Sequence, residues 1–312
     1  MSREIEIKNI LDQRQTRPSP DLAPFIRAVL QKRSAIVNPN KPEIYWLPEY
    51  FGLHKLKIWQ EAAPEQQGRI LRSLNQGLVE ESFYIEKSGM TYTSKMSLLA
   101  ELNDERSLYN MLAADEAVHF QMISSYLLDE PAPYEQQPFL RLLDAAVHEG
   151  GYSSLIFIAQ VLLEGWGLAH YMSLLKNCQN EDFRGVFRMI LNDEAIHHGS
   201  GLVMTRKHPF LNQDKDIVLS IIKEFFSLVQ IGPLRIASAI AQELGSLNKS
   251  DLVTIFDELE AKQSITENLS TLKKLVREHT PDSSLIQFIE TNRLDISSSN
   301  TQFAEFLKGK LS

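Results

Sequence analysis

Apolar residues recur at steps of three and four along most of the chain, whereas the alternating pattern of a β-strand is scarce. A step of three to four residues is the period of an amphipathic α-helix. Proline and glycine residues divide the pattern into separate segments. The pattern therefore predicts an all-α protein. The predicted helices are 21–35, 52–61, 64–87, 95–102, 104–128, 137–149, 152–176, 180–207, 213–230, 233–245, 248–277 and 281–293, with a short helix in the tail.

We interpret the whole chain of 312 residues as a single domain. Residues 1–20 form a polar arm that ends in a helix-breaking Pro-Ser-Pro sequence. Residues 64–207 form the predicted core, and residues 208–312 supply accessory helices. Inside the core, Ser88-Gly89-Met90-Thr91 is interpreted as a break after the helix 64–87.

The charge of the chain is mildly acidic, with 32 Lys and Arg residues against 40 Asp and Glu residues and a net charge of −8. No basic block stands out, which argues against nucleic acid as a partner. No apolar run approaches the roughly 18 residues of a membrane span, and the N-terminus does not resemble a signal peptide, so we expect a cytoplasmic protein without a membrane segment. The single cysteine, Cys178, excludes an intrachain disulfide and a metal site built from cysteines.

Two segments, AADEAVHFQM and NDEAIHHGSG, share the pattern Asp-Glu-x-x-His. A carboxylate and an imidazole three residues apart lie on the same face of a helix. Glu116 with His119, and Glu194 with His197, therefore each present one oxygen ligand and one nitrogen ligand on an apolar face. A lone carboxylate in an apolar core is costly unless it is paired, hydrogen-bonded or bound to a metal.

Two further acids lie within apolar helical stripes. They are Glu81 in the helix 64–87 and Glu164 in the helix 152–176. One Glu from each of two helices, with Glu-x-x-His from each of two others, is the ligand set of di-iron and di-manganese carboxylate bundles. The predicted metal ligands are Glu81, Glu116, His119, Glu164, Glu194 and His197.

The spacing of the ligands along the helices allows a check of this set. In an antiparallel helical hairpin, ligands at one height must lie equally far from the turn. Glu164 lies 13 residues before Asn177, and Glu194 lies 13 residues after Glu181, so these two come level. Glu81 and Glu116 do not pass the same check, which leaves the geometry of that pair open.

The aspartate before each motif glutamate also has a predicted role. An aspartate in this position can accept the outer N–H of a histidine on the facing helix and so fix its tautomer. We predict that Asp115 supports His197 and that Asp193 supports His119. We interpret His198 as a neighbour of the site or a core residue rather than a ligand. We interpret four aromatic residues near the site either as core residues or as the lining of a pocket. They are Tyr84, Tyr109, Trp166 and Tyr171.

Over about residues 64–207, these four helices and their motifs resemble the ferritin-like di-iron carboxylate superfamily. The resemblance implies a four-helix bundle core with additional N- and C-terminal helices. It also implies that four carboxylates and two histidines bind two iron ions, with a manganese–iron pair as the alternative. Members of the superfamily reduce O2 at this centre and oxidise a substrate. The electrons would come from an external donor, because no flavin or nicotinamide motif is visible.

The sequence narrows the choice among branches of the superfamily. About a hundred residues follow position 207, which argues against a storage ferritin, and the Cys-ligated iron domain of rubrerythrins is absent. Ile123 stands where a ribonucleotide reductase small subunit normally has its radical tyrosine. Ile190 stands where p-aminobenzoate N-oxygenase-like enzymes usually have a further histidine. That group and the acyl-carrier desaturases remain as the two branches of similar length.

We therefore expect a non-heme di-iron oxidase or oxygenase that uses O2. Its substrate is expected to be a small organic molecule or an acyl or aminoacyl group on a carrier. A non-catalytic metal-binding or ferroxidase protein is the alternative, and a helical interaction protein without metal is a third class. A homodimer is left open.

Overall fold

The computed structural model of this chain describes residues 20–32, 41–132, 138–209, 214–230, 232–280, 285–287 and 290. Within these residues the secondary structure is helical and contains no strand, which confirms the all-α prediction. The predicted arm 1–20, apart from Pro20, lies outside the described residues, as do most of the helix 281–293 and the tail helix. The longer helices are α1 (Ala23–Lys32), α3 (Pro64–Leu99), α4 (Asn103–Ser124), α5 (Pro138–Glu149), α7 (Glu164–Asn177), α8 (Glu181–Lys207), α9 (Lys215–Leu228), α10 (Gly232–Leu244), α11 (Lys249–Glu258) and α12 (Ala261–His279).

Short helical segments complete this order. A 3-10 turn at Leu53–Lys55 and α2 (Lys57–Gln60) occupy the region predicted as the helix 52–61. The predicted helix 248–277 is divided between α11 and α12, because Glu260 has a left-handed backbone conformation with φ 52°. A non-glycine residue rarely adopts this conformation, and it cannot continue a right-handed helix.

The helix α3 departs most from the sequence prediction, because it runs for 36 residues without a break. The predicted interruption at Ser88-Gly89-Met90-Thr91 was wrong, and the predicted short helix 95–102 is mostly the last part of α3. Thr91 and Thr93 donate side-chain hydrogen bonds to the carbonyl oxygens of Lys87 and Gly89, so polar side chains are accommodated within the helix. Tertiary packing here outweighs the weak helix propensity of these residues.

The predicted helix 152–176 is one continuous helix, Tyr152–Asn177, but its middle is not an α-helix. The segment α6 (Tyr152–Leu155) leads into a π-helix at Ile156–Leu163, which is followed by α7. A π-helix is wider than an α-helix because its hydrogen bonds join residues five apart, and it often occurs at functional sites. This π segment packs against α8.

Contacts divide the described residues into two units. The first unit contains residues 78–176, 180–221 and the described residues up to 42, and it holds every residue of the predicted metal site. Its buried apolar core includes Tyr92, Met96, Tyr109, Leu155, Ile156 and Met204. Burial of each large side chain stabilises the folded state by about 1.5–3 kcal/mol.

The second unit contains residues 43–77, 177–179 and the described residues from 222 onward. Asn75 is fully buried there, and its side-chain oxygen accepts hydrogen bonds of 2.8 Å from the backbone N–H groups of Tyr45 and Trp46. The single domain over the whole chain stays a prediction.

One helix among the described residues, Tyr152–Asn177, is long and apolar enough to cross a membrane, with a mean hydropathy of 1.3 over its most apolar window. The sequence prediction that no such run exists therefore overlooked this helix. However, 56% of that window is buried inside the protein, and the helix carries Glu164 into a cluster of acids. A core helix accounts for both observations. The bent pair α9 and α10 passes the same test only when it is taken as one span.

Candidate metal centre

Six side chains from four helices converge in the first unit. They form two overlapping groups, and the ligand atoms of each group lie within 4.8 Å of one another. One group contains Glu86, Glu116, His119 and Glu194, and the other contains Glu116, Glu164, Glu194 and His197. The two glutamates of the Asp-Glu-x-x-His motifs, Glu116 and Glu194, are shared by both groups. Each group has the donor atoms to hold a metal ion.

The individual distances agree with this division. His119 Nδ1 lies 3.1 Å from Glu86 Oε2, and His197 Nδ1 lies 3.2 Å from Glu116 Oε1. Glu194 Oε1 is nearly equidistant from the two imidazoles, at 3.9 Å from His119 Nδ1 and 3.7 Å from His197 Nδ1. Each histidine therefore turns the same ring nitrogen, Nδ1, toward the carboxylates.

Several of the converging atoms are buried and lack a hydrogen-bond partner among the described residues. They are Glu86 Oε2, His119 Nδ1, Glu164 Oε2 and His197 Nδ1. A buried polar atom without a partner costs about 1–3 kcal/mol, so such atoms rarely gather in one place without a ligand. Carboxylate oxygen and imidazole nitrogen are ligands that suit iron and manganese. The donor atoms of the cluster therefore fit a metal ion.

The electrostatics of the cluster also favour a cation. Burial raises the pKa of Glu164 and of Glu194 well above the usual range, and the Glu116 carboxylate raises both further. Burial lowers the pKa of His197, but the carboxylates of Asp115 and Glu116 outweigh it and raise that pKa to about 12. Buried carboxylates at these distances repel one another, so the cluster is stabilised by protons or by metal ions.

The two predicted aspartate–histidine contacts cross between α4 and α8. Asp193 Oδ2 lies 3.0 Å from His119 Nε2, so the predicted contact of this pair is present, and its role in supporting a metal ligand stays a prediction. Asp115 Oδ2 lies 3.7 Å from His197 Nε2, which is an ion-pair distance rather than a hydrogen bond. Because a carboxylate accepts, His119 carries its proton on Nε2. Burial lowers the pKa of His119, but the neighbouring carboxylates outweigh it and raise that pKa well above its usual range, so the metal-free imidazole holds a proton on Nδ1 as well. A metal ion that displaces this second proton would find the lone pair of Nδ1, the atom that faces the carboxylates.

Glu86 occupies the position that the sequence analysis gave to Glu81. Glu86 is 1% exposed and belongs to the cluster, whereas Glu81 is half-buried and belongs to neither group. Glu81 was predicted because it lies in the apolar stripe of the predicted helix 64–87, and the sequence analysis did not consider Glu86. In the continuous α3, Glu86 lies well inside the helix, 13 residues before Leu99.

The position of the Glu116 carboxylate explains why glycine, which disfavours a helix, lies one turn after Glu86. A Cβ atom added at Gly89 would lie 2.2 Å from Oε2 and 2.6 Å from Cδ of Glu116. The absence of a side chain lets the Glu116 carboxylate approach the backbone of α3. Gly89 is therefore a site of close approach and not a helix break.

Gln160 joins the π segment to the motif of α8. Its Nε2 donates to the His197 carbonyl oxygen at 3.0 Å and to Ser200 Oγ at 2.9 Å. Its Oε1 accepts a hydrogen bond of 2.9 Å from the Tyr109 hydroxyl group. These bonds fix the position of the His197 backbone along the helix that carries Glu164. The sequence analysis did not predict them.

His198 belongs to neither group, in agreement with its interpretation as a neighbour of the site. Its Nδ1 lies 3.1 Å from the backbone carbonyl oxygen of Gln160. A carbonyl oxygen only accepts, so Nδ1 carries the proton. His198 thus adds one more bond between α8 and the π segment.

Tyrosine hydroxyl groups lie against two of the carboxylates. Tyr171, one of the predicted aromatic neighbours, donates to Glu86 Oε1. Tyr92, which sequence analysis missed, donates to Glu164 Oε1 at 2.5 Å. Burial raises the pKa of both phenols well above the usual range, and the bound carboxylates add to the effect, so both stay protonated donors.

The other predicted aromatic residues have different surroundings. Tyr84 is fully buried and donates to the Ala132 carbonyl oxygen at 2.7 Å. Tyr109 binds Gln160, as described above, and Trp166 is half-buried. Their role in lining a substrate pocket stays a prediction.

One buried acid near the predicted site lies outside the cluster. Glu105 is 3% exposed and contacts Lys207 Nζ at 2.5 Å, His208 Nε2 at 2.8 Å and the Tyr152 hydroxyl group at 2.8 Å. Burial raises its pKa, but these partners outweigh burial and lower the pKa to about 2. Glu105 is thus an ionised structural acid.

Comparison with known proteins gives no match to a protein-family model, to a curated protein or to a solved structure. The functional argument therefore rests on the chain's own residues.

Proposed function

We propose that this protein is a non-heme di-iron oxidase or oxygenase that uses O2, of the ferritin-like kind. The observation that carries the proposal is the pair of ligand groups with two shared carboxylates. The order of the ligands along the chain, Glu, Glu-x-x-His, Glu, Glu-x-x-His, supports the same assignment.

The ligands divide naturally between two metal positions. Glu86 and His119 would hold one ion, Glu164 and His197 would hold the other, and Glu116 and Glu194 would contribute to both positions. When the four carboxylates are ionised and both imidazoles are neutral, two divalent cations neutralise the charge of the cluster. Iron supplies the chemistry of O2 reduction and substrate oxidation, which amino-acid side chains cannot supply.

The surrounding residues hold the ligands and exclude water. Asp193 keeps the proton of His119 on Nε2, so that Nδ1 is available as a ligand. The helices that carry the ligands also carry fully buried apolar side chains, including Phe83, Phe187 and Ile190. A dry site strengthens each electrostatic interaction within it and protects reactive species from side reactions.

We further propose a small organic molecule, or an acyl or aminoacyl group on a carrier, as the substrate. The substrate would react at the face of the cluster, and an external donor in the cytoplasm would supply electrons. These parts of the proposal follow from the resemblance of the ligand set to that of the ferritin-like di-iron carboxylate superfamily.

Oxygen uptake tests the proposal. The protein is loaded anaerobically with ferrous iron, mixed with O2 and supplied with a chemical reductant, beside the Glu116→Ala variant. We expect the wild type to consume O2 through many turnovers and the variant to lose this uptake, because Glu116 belongs to both metal positions. Equal uptake by both proteins would contradict the proposal.

The same assay without the reductant separates the alternative, a ferroxidase or metal-binding protein. A ferroxidase would consume O2 again after each further addition of ferrous iron, because it passes on the ferric product, whereas an oxidase or oxygenase would keep its bound iron and consume O2 only once per reduction.

A further inference from the structure

The two carboxylates that belong to only one metal position, Glu86 and Glu164, have matching surroundings. Oε1 of Glu86 accepts a hydrogen bond from the Tyr171 hydroxyl group, and Oε1 of Glu164 accepts one of 2.5 Å from the Tyr92 hydroxyl group. The Oε2 atoms of both carboxylates are buried and make no hydrogen bond among the described residues, although Oε2 of Glu86 lies 3.1 Å from His119 Nδ1 within the same ligand group. Each carboxylate thus has one occupied oxygen and one oxygen left for a cation.

The two pairs are reciprocal between helices. The helix α3 carries Glu86 and Tyr92, and α7 carries Glu164 and Tyr171. Each helix therefore supplies a carboxylate to the cluster and a phenol to the carboxylate of the other helix. The aspartate–histidine contacts exchange partners between α4 and α8 in the same way. A contact from the partner helix to a ligand residue thus occurs at both metal positions.

Both phenols in these pairs are buried. Tyr92 and Tyr171 are 4% and 1% exposed, and each donates its hydroxyl hydrogen to a carboxylate Oε1 atom. A carboxylate whose one oxygen is hydrogen-bonded in this way loses the freedom to turn both oxygens toward the same cation. Hydrogen bonds from a donor to a charged acceptor are about twice as strong as neutral ones. The phenol can therefore determine that only the other carboxylate oxygen faces the cation.

We propose that Tyr92 and Tyr171 are positioning residues that hold Glu164 and Glu86 as one-oxygen ligands, each acting on one of the two metal positions. This inference rests on the proposed function, since it concerns how the metal ions are held. It assigns a role to two tyrosines that the ligand motif does not include.

Cobalt(II) is the probe for the test, because its visible absorption reports the number and arrangement of its ligands. Cobalt is titrated into the metal-free full-length protein, and the stoichiometry, the affinity and the absorption per bound cobalt are recorded. We expect Tyr92→Phe and Tyr171→Phe each to weaken binding at one of the two positions by about 10- to 100-fold, as loss of an outer hydrogen-bond partner does elsewhere. We also expect the absorption per cobalt to fall, since a carboxylate that binds through both oxygens raises the coordination number.

Tyr152→Phe is the matched control. Tyr152 also donates to a buried carboxylate, Glu105, at 2.8 Å, but Glu105 belongs to neither ligand group. This variant should bind cobalt as the wild type does, and thermal unfolding of the metal-free proteins measures any general loss of stability in all three variants.

The outcomes separate this inference from the proposed function. If the wild type binds about two cobalt ions and both cluster variants match Tyr152→Phe in affinity and absorption, the positioning role is wrong while the metal site stands. If the wild type binds no cobalt, the metal site itself is wrong, and the two tyrosines only satisfy buried acids.

Discussion

Replacing Gly89 with alanine should remove the metal ions without unfolding the protein. The new Cβ atom would lie 2.2 Å from Glu116 Oε2, and ordinary contact begins at 3.4 Å, so the carboxylate must move away from α3. Metal–ligand distances are fixed to within about 0.2 Å, so a displacement of this size takes Glu116 out of range. Both metal positions should be lost together, because Glu116 belongs to both groups.

The helix itself should tolerate the change, since alanine stabilises a helix interior by about 1 kcal/mol relative to glycine. The assay is the iron content per chain, measured beside thermal unfolding of the metal-free protein. Gly68→Ala is the control on the same helix, where a Cβ atom meets nothing within 4 Å, and it should keep its iron. A Gly89→Ala protein that binds iron as tightly as the wild type would refute the reasoning.

Other predictions concern the surroundings of the cluster. Asp193→Asn should weaken metal binding by about 10- to 100-fold, because an amide no longer fixes the tautomer of His119; an unchanged cobalt titration would count against this role. Gly201→Ala should lower the free energy of unfolding by about 1–3 kcal/mol, since its Cβ atom would lie 2.7 Å from that of Gln160. Gly199→Ala, with nothing within 4 Å, should not, and equal denaturant midpoints for the two variants would contradict the packing argument. Glu105 has a lowered pKa of about 2 against an ordinary 4.5, so its stabilising effect is complete above pH 4.5 and is lost as the pH falls toward 2. The stability difference between wild type and Glu105→Gln should shrink over that interval, and a difference that stays constant there would exclude the ion-pair explanation.

The sequence was sufficient to predict the helical class and five of the six clustered residues, because Glu-x-x-His fixes two ligands on one helix face whatever the tertiary structure. The hairpin rule also fits the sixth clustered residue, Glu86, once the observed bounds of α3 are used. Glu86 lies 13 residues before Leu99, and Glu116 lies 13 residues after Asn103, so these two satisfy the same rule as Glu164 and Glu194. The rule was applied to Glu81 because Glu81 lies in the apolar stripe of the predicted helix 64–87, and the predicted end of that helix near residue 87 hid the match of Glu86.

The remaining features depend on contacts between helices, which helical periodicity does not report. Gly89 has a low helix propensity, and only the position of Glu116 shows why glycine is needed there. The π segment IFIAQVLL is apolar at nearly every position, so no change of period marks it in the sequence. Tyr92 lies beyond the predicted break in α3, and a continuous helix would have placed it near the cluster.

The most direct test of the central claim is the number of iron and manganese ions per chain in the wild type, Glu86→Ala and Glu81→Ala. We expect about two ions in the wild type, a similar number in Glu81→Ala, and a marked loss in Glu86→Ala, because only Glu86 belongs to the cluster. Two ions in Glu86→Ala with a loss in Glu81→Ala would contradict the ligand assignment. No metal in any of the three proteins, even after anaerobic reconstitution with ferrous iron, would contradict the dimetal centre itself.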